Sequence, residues 1–313
     1  MLRPYGIDMM DIGAVENHRA REGGVLVYPV YSRRSQGLSV GINLFPNHKV
    51  CSFDCPYCEV FPFKGDTRFA VEAMETELRS TLGHLQAQGA VIKDMCFSGN
   101  GEPTLSRDFP EALKAAARIR DTAVFGAELV VITNGTGLLD TRTFNLLHHA
   151  ATGHEALKIW LKLDAGTEGW YQEMARVQIP FETLKGKIKE LVSHAPVTLQ
   201  TMLCSVKGTA PPPEEAAAWE SLVVELAGIG EAARKAAGSE DADGVHGETR
   251  GSRLPGIRDL QIYGKARPAP EDPWTEALPV SYLESRAASI RVALERAGLK
   301  APSGKAIPVG VFP

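Results

Sequence analysis

The chain has 313 residues, 44% of them hydrophobic and 23% charged, with a formal net charge of -4. That is enough apolar material for a sizeable core, and the slight acidity excludes an overall basic field that would gather nucleic acid nonspecifically. No apolar run approaches the roughly 18 residues of a membrane span, and the opening MLRPYGIDMMDIGAVENHRA lacks a signal peptide's basic-then-apolar pattern, so the expectation is a cytoplasmic protein with no membrane partner.

In chain order, six short apolar runs ending in small or polar residues predict six strands: LSVGINLF (38–45), VIKDMCFSG (91–99), ELVVITNG (128–135), ALKIWLKLDAG (156–166), PVTLQTMLC (196–204) and IRDLQIYG (257–264). Between the first two, Val71, Met74, Leu78, Leu82 and Leu85 fall on one face of a predicted helix. Between the fifth and sixth, residues 228–255 are rich in Gly, Ala and charge and read as a mobile insertion. Residues 269–313 read as a C-terminal extension with one helix: Ser281 and Glu284 have capping-box spacing, Leu283, Ala287, Ile290 and Leu294 form its apolar stripe, and Gly298 is placed to stop it. Strands alternating with helices imply parallel pairing in an α/β fold, either an open doubly wound sheet or a full or partial barrel. Both put ligands at the carboxyl ends of the strands.

Just past the first run, CSFDCPYC places Cys51, Cys55 and Cys58, three of the five cysteines, within eight residues. Reducing conditions and an odd count argue against disulfides and leave metal binding or catalysis. Three thiolates can hold a 4Fe-4S cluster with one iron open. Zinc is the rival, with His48 as a fourth ligand. Burial as small apolar side chains fits poorly with the interleaved Lys49, Asp54 and Pro56. Cys96 and Cys204, inside apolar runs, read as buried thiols.

Alternation puts Lys158, Trp160, Lys162 and Asp164 on one face of the fourth strand, Thr198, Gln200 and Met202 on one face of the fifth, and Asp259, Gln261 and Tyr263 on one face of the sixth. Lys162 and Asp164 therefore share a face near a carboxyl end, either to meet a ligand or to neutralise each other. Asn134 ends the third strand at the matching level. Arg33, Arg34 and Arg267 are candidates for an anionic substrate, since guanidinium forks match phosphate or carboxylate.

CxxxCxxC with Tyr57 before the last cysteine, directly after the first strand, resembles the signature loop of the radical S-adenosylmethionine (SAM) superfamily. SGNGEPTL (98–105) resembles that superfamily's Gly-Gly-Glu segment, with Asn100 where its first glycine is usual. YSRRSQGLSVGINLFP, VITNG, LKLDAG and IYGKARP extend the likeness over about 28–268, toward iron-sulfur oxidoreductases related to wyosine-type tRNA-modifying enzymes. The resemblance implies a radical SAM core with an N-terminal extension over 1–268, built as a partial (β/α)6 barrel, with a 4Fe-4S cluster on Cys51, Cys55 and Cys58 and SAM as the other cofactor. With it go SAM contacts from Tyr57, Asn100, Gly101, Glu102, Asn134, Asp164 and Gln200, while Lys162, Asp164, Arg33, Arg34 and Arg267 stand as candidates for substrate contacts on their own chemistry. The resemblance further implies a reductant such as flavodoxin or ferredoxin and an unidentified substrate, a tRNA base or a peptide among the options. A noncatalytic metal-binding or electron-transfer protein is the alternative. With only Cys96 and Cys204 to spare, a second cluster, and with it wyosine synthesis itself, is not expected.

Overall fold

A computed structural model describes residues 24–60, 62–238, 253–267, 269 and 272–313. The chain divides into two compact units, Met1–Cys51 with Val60–Thr133, and Ser52–Glu59 with Asn134–Pro313.

The first unit carries β1 (Val27–Ser32), β2 (Gly37–Ile42), β3 (Ile92–Phe97) and β4 (Glu128–Thr133), side by side in that order. β1 runs antiparallel to β2, and β2, β3 and β4 are mutually parallel. Every residue of β2 is buried, as expected for a parallel strand covered on both faces. Helices α1 (Val71–Ala87) and α2 (Phe109–Ala123) complete the unit. α1 buries Met74, Leu78, Leu82 and Leu85 as its spacing predicts, with Val71 half-buried at its first turn. β1 has no counterpart among the six expected strands. Its sequence VYPVYS contains Pro29, which cannot donate to a ladder, so it reads poorly as a strand yet is tolerated beside a single neighbour.

The second unit carries β5 (Leu157–Lys162), β6 (Pro196–Val206), β7 (Gly256–Gly264) and β9 (Val309–Phe312), mutually parallel, with β8 (Thr275–Ala277) antiparallel to the carboxyl part of β6. Its helices are α3 (Thr141–Thr152), α4 (Glu168–Ala175), α5 (Phe181–Val192), α6 (Pro213–Ala236) and α7 (Val280–Arg296). All six expected strands form, as β2 to β7. Residues 269–313, expected to carry one helix, also supply β8 and β9.

Two local expectations are corrected. Residues 228–236, expected to open a mobile insertion, are instead the last turns of α6. Gly230 marks a close crossing: a Cβ on it would stand 2.3 Å from the Gly256 Cα at the start of β7. Arg234 closes the junction, donating to the Pro255 carbonyl at 2.6 Å and the Lys300 carbonyl at 2.8 Å. Residues 239–252 and Pro268, the expected end of the core, lie outside the described residues. The Ser281–Glu284 capping box does not form, because α7 starts at Val280 after Pro279 and has no side-chain cap. Gly298 does end α7, at φ +66°. No helix among the described residues is long and apolar enough to cross a membrane.

Gly230→Ala separates a packed helix from a loose segment. In an open helix the change stabilises by up to about 1 kcal/mol; against the Gly256 backbone we expect a loss of roughly 1–3 kcal/mol, read by urea denaturation. A gain in stability would show that 228–236 do not pack on β7.

Candidate functional site

In the first unit, the chain leaving β2 returns to pair with the segment beyond β3. The Val50 amide donates to the Asn100 carbonyl at 3.1 Å, and the Glu102 amide donates to the Val50 carbonyl at 2.8 Å. Gly101, at φ +151°, sits between them, and a Cβ there would stand 1.8 Å from the Val50 oxygen. Only glycine allows this approach. Cys51, exposed, is the next residue after Val50.

The side chains of this segment are held with equal economy. Asn100 donates its amide N–H to Asn43 Oδ1 at 3.3 Å and its Nδ2 to the Phe45 carbonyl at 3.2 Å. Its Oδ1 is buried with no partner. Glu102 is 2% exposed, and its Oε1 accepts from the Thr104 amide at 3.1 Å, Thr104 Oγ1 at 2.6 Å and Thr133 Oγ1 at 2.7 Å. Asn100, Gly101 and Glu102 thus lie along the bridge to Val50, the residue before the first cysteine. Thr104 and Thr133 were not among the expected site residues, although Thr133 precedes Asn134 in the VITNG strand ending.

Arg33 and Arg34 are not brought to this end. They lie in the tight turn between β1 and β2, closed by the Gln36 amide on the Arg33 carbonyl at 3.3 Å, at the amino end of β2. A six-residue strand spans roughly 20 Å, so the turn is a strand's length from the carboxyl ends. Arg34 acts instead on Asp94, a buried carboxyl on β3 that accepts from Ser39 Oγ at 2.5 Å. Burial raises the Asp94 pKa, against lowering by hydrogen bonds from Ser35 and Ser39 and by the Arg34 charge.

In the second unit, the rest of the cysteine loop is fastened from several elements. The Asp54 amide donates to the Ala175 carbonyl at 2.8 Å, and Thr275 Oγ1 donates to the Pro56 carbonyl at 3.2 Å. The Cys58 amide reaches back to the Cys55 carbonyl at 2.9 Å. Ser52 Oγ shares a hydrogen bond with Thr136 Oγ1 at 2.5 Å and accepts from Asn134 Nδ2 at 3.2 Å. Asn134 Oδ1 meanwhile accepts from the Thr136 amide at 2.9 Å, an Asx-type turn at the end of β4. Expected as a SAM contact, Asn134 spends these groups on the turn and the loop. Arg267, expected to meet an anionic substrate, pairs with Glu59 of the loop at 3.1 Å on the surface.

At the carboxyl ends of β5 to β7, Lys162 and Asp164 meet as their shared face predicts, Nζ to Oδ2 at 3.2 Å. Tyr57 donates to the same Asp164 Oδ2, and the Met202 amide donates to Asp164 Oδ1 at 2.8 Å. Lys162 also donates to the Tyr263 hydroxyl at 2.5 Å and lies 4.6 Å from the Tyr57 ring centroid and 5.2 Å from that of Tyr263. Burial works against the ammonium, but the Asp164 charge, with Tyr263 and Cys55, holds the Lys162 pKa above the ordinary lysine value. Burial, then Asp164, pushes the Tyr57 phenol well above its usual value, so it stays a donor. Tyr57, Met174, Met202, Cys204, Val206 and Tyr263 form one apolar cluster against which Cys55 packs. Beside it a cavity of about 20 Å³, room for one water, is lined by Phe53, Lys162, Asp164, Tyr171, Met174 and Phe181 among others. The Tyr171 hydroxyl is buried with no partner. Tyr263 was readable from alternation along β7; Tyr171 carried no such signal.

Gln200 is fully buried and donates to Gln261 Oε1 at 2.7 Å, one rung of a ladder that also joins Thr198 to Asp259 at 2.7 Å. The polar faces of β6 and β7 are thus as predicted, but they satisfy each other. Burial pushes the Cys204 thiol up to about 12 and raises Cys96 as well, as fits buried thiols. Exposed His48 bonds Asn47 Oδ1 at 2.7 Å. No group of three or more His, Cys, Asp or Glu side chains among the described residues is arranged to hold a metal ion.

Asp164→Asn tests the pair. Removing the carboxylate leaves a buried ammonium without its counter-charge, and we expect a loss of about 3–5 kcal/mol at pH 7. The folded pKa of Lys162 lies above its unfolded value, so the lysine's contribution is in full force at pH 7 and fades only as pH rises from about 10.5 through the folded value. Urea denaturation at pH 7 reads the deficit; a loss under about 0.5 kcal/mol, the level of an ordinary surface change, would show that Lys162 does not depend on Asp164.

No protein-family model matches the chain. A UPF0026 protein of Helicobacter pylori (strain ATCC 700392 / 26695) is 32% identical over 119 residues, 37% of each chain, so the match spans little more than a third of that relative's length. Among solved structures, a radical SAM methyltransferase from Sphaerobacter thermophilus aligns with a TM-score of 0.56 at 13% identity, over 91% of this chain and 68% of its own. TYW1 with a lysine-pyruvate adduct bound aligns with a TM-score of 0.50 at 14% identity, over 93% of this chain and 90% of its own. At such identities the structural likeness speaks for fold, and it is the expected α/β class of parallel strands with outer helices in a partial barrel. The chain therefore shares its fold with solved radical SAM and TYW1 structures and a stretch of its sequence with the UPF0026 proteins.

Proposed function

We propose that the chain is a radical SAM enzyme in which Cys51, Cys55 and Cys58 hold a 4Fe-4S cluster and the segment 98–105 receives SAM. The observation that carries this reading is the pairing of Val50 with Asn100 and Glu102, which seats the first cysteine one residue from the acidic segment. The donor set suits such a cluster, being all thiolate with one ligand fewer than an electron carrier takes. The acceptors suit an ammonium: the Glu102 carboxylate and the buried, unpartnered Asn100 Oδ1.

When bound, the cluster and SAM would supply a one-electron cleavage of the sulfonium to methionine and a 5′-deoxyadenosyl radical, which takes a hydrogen atom from substrate. The chain's own part is to bind and to exclude water. Lys162 has three N–H donors, and its contacts with Asp164 and Tyr263 use two, leaving one for a carboxylate of SAM or substrate. Asp164 and Tyr263 fix the position of that charge. Met174, Met202 and Val206 keep Cys55 against apolar surface.

The electron comes from a small reductant of the flavodoxin or ferredoxin class, and the site of action is the cytoplasm. The net charge of -4 gives nucleic acid no general attraction. The proposal ends at radical formation on an unidentified substrate, a tRNA base or a peptide among the options.

Anaerobic reconstitution should give about four irons per chain, and with dithionite and SAM the protein should release 5′-deoxyadenosine while Cys55→Ala releases none. Stoichiometric zinc without iron, or equal product from both proteins, would overturn the reading.

A further inference from the structure

The Glu102 carboxylate is held by more than its place in the chain. One oxygen, Oε1, takes three donors: the Thr104 amide, Thr104 Oγ1 and Thr133 Oγ1. The two Thr104 bonds are local, formed where Glu102 caps the short 3-10 turn at Pro103–Leu105. The Thr133 bond is not local: it crosses 31 residues, from the last residue of β4 to the segment beyond β3. All three side chains are buried, Glu102 at 2%, Thr104 at 5% and Thr133 at 1% exposure.

A buried carboxylate that is fully rotatable would bind an ammonium poorly, because it would have to be ordered on binding. Three donors on one oxygen remove that freedom beforehand. They also supply part of the stabilisation that an anion loses on leaving water.

We propose that Thr133 is a positioning residue for SAM, acting through Glu102: its hydroxyl fixes the rotamer in which the carboxylate presents itself to the amino group. Thr104 holds the same oxygen from the near side, so the pair form a two-point clamp across β3 and β4. The inference rests on the reading that Glu102 receives SAM.

The test measures SAM binding rather than turnover. Reconstituted full-length protein is dialysed to equilibrium against radiolabelled SAM, comparing the native chain with Thr133→Val, Thr133→Ser and Glu102→Gln. A hydrogen bond to a charged group is worth about 1.5–3 kcal/mol, so Thr133→Val should weaken SAM by roughly tenfold or more. Thr133→Ser, which keeps the hydroxyl, should bind within about twofold of the native chain, and Glu102→Gln should lose at least as much as the valine variant. Valine matches threonine in shape, and melting of each variant shows that it is folded. Native affinity in Thr133→Val beside a loss in Glu102→Gln would overturn the clamp while leaving the SAM reading intact. Native affinity in both would overturn the two together. A serine variant as weak as the valine one would show that Thr133 serves packing and not Glu102.

Discussion

The arrangement depends on one contact of backbone with backbone. Val50 gives its amide to the Asn100 carbonyl and takes the Glu102 amide on its own carbonyl, with Gly101 passing between so closely that a Cβ on it would fall 1.8 Å from the Val50 oxygen. Side-chain contacts can drift with rotamers, but a bridge of this kind sets the height of a strand-end segment to within a hydrogen bond. It fixes where Cys51 begins and which way Glu102 leaves the chain. The glycine in SGNGEPTL is therefore a steric requirement of the bridge before it is anything to a ligand.

In each unit a buried carboxylate is held by several donors. Asp164 gives one oxygen to the Met202 backbone and the other to Tyr57 and Lys162. Glu102 gathers three donors on a single oxygen. An anion buried this deeply is tolerable only when such donors replace its water, and the replacement also removes its rotational freedom. Stability and preorganisation have the same cause here. The cation side follows the same logic, since Lys162 is flanked by two tyrosine rings and a carboxylate that keep it charged despite burial.

What the sequence makes legible is whatever rests on period and spacing. The six runs became β2 to β7 because apolar continuity marks strands covered on both faces, and Lys162 met Asp164 because alternation is a property of any strand. Spacing also singled out Cys51, Cys55 and Cys58. Partner choice was not legible. Arg33, Arg34 and Arg267 have the right chemistry for an anion, but Arg267 meets Glu59 across 208 residues, and the two arginines of SRR sit at the wrong end of β2 because β1 is a strand the proline concealed. Gln200 and Asn134 were placed on the correct faces and levels, yet their side chains are bound within the chain. The end of α6 read as a loop for a related reason: composition reports small residues, and only the fold says whether smallness serves flexibility or a close crossing such as Gly230 on Gly256.

Accounting for donors and acceptors narrows what is left to meet a ligand. The guanidinium of Arg267 and the amides of Asn134 and Gln200 already serve as struts of the scaffold. Asn100 Oδ1 and the Tyr171 hydroxyl, by contrast, are buried groups with no partner, and Lys162 has an N–H beyond its two contacts. Leaving a buried polar atom unsatisfied costs about 1–3 kcal/mol, which a fold tolerates where something else completes the bond. Tyr171 and Lys162 line the same small cavity in the second unit, while Asn100 belongs to the Glu102 segment of the first. Each unit thus leaves its own kind of group open, an acceptor in the first and donors in the second.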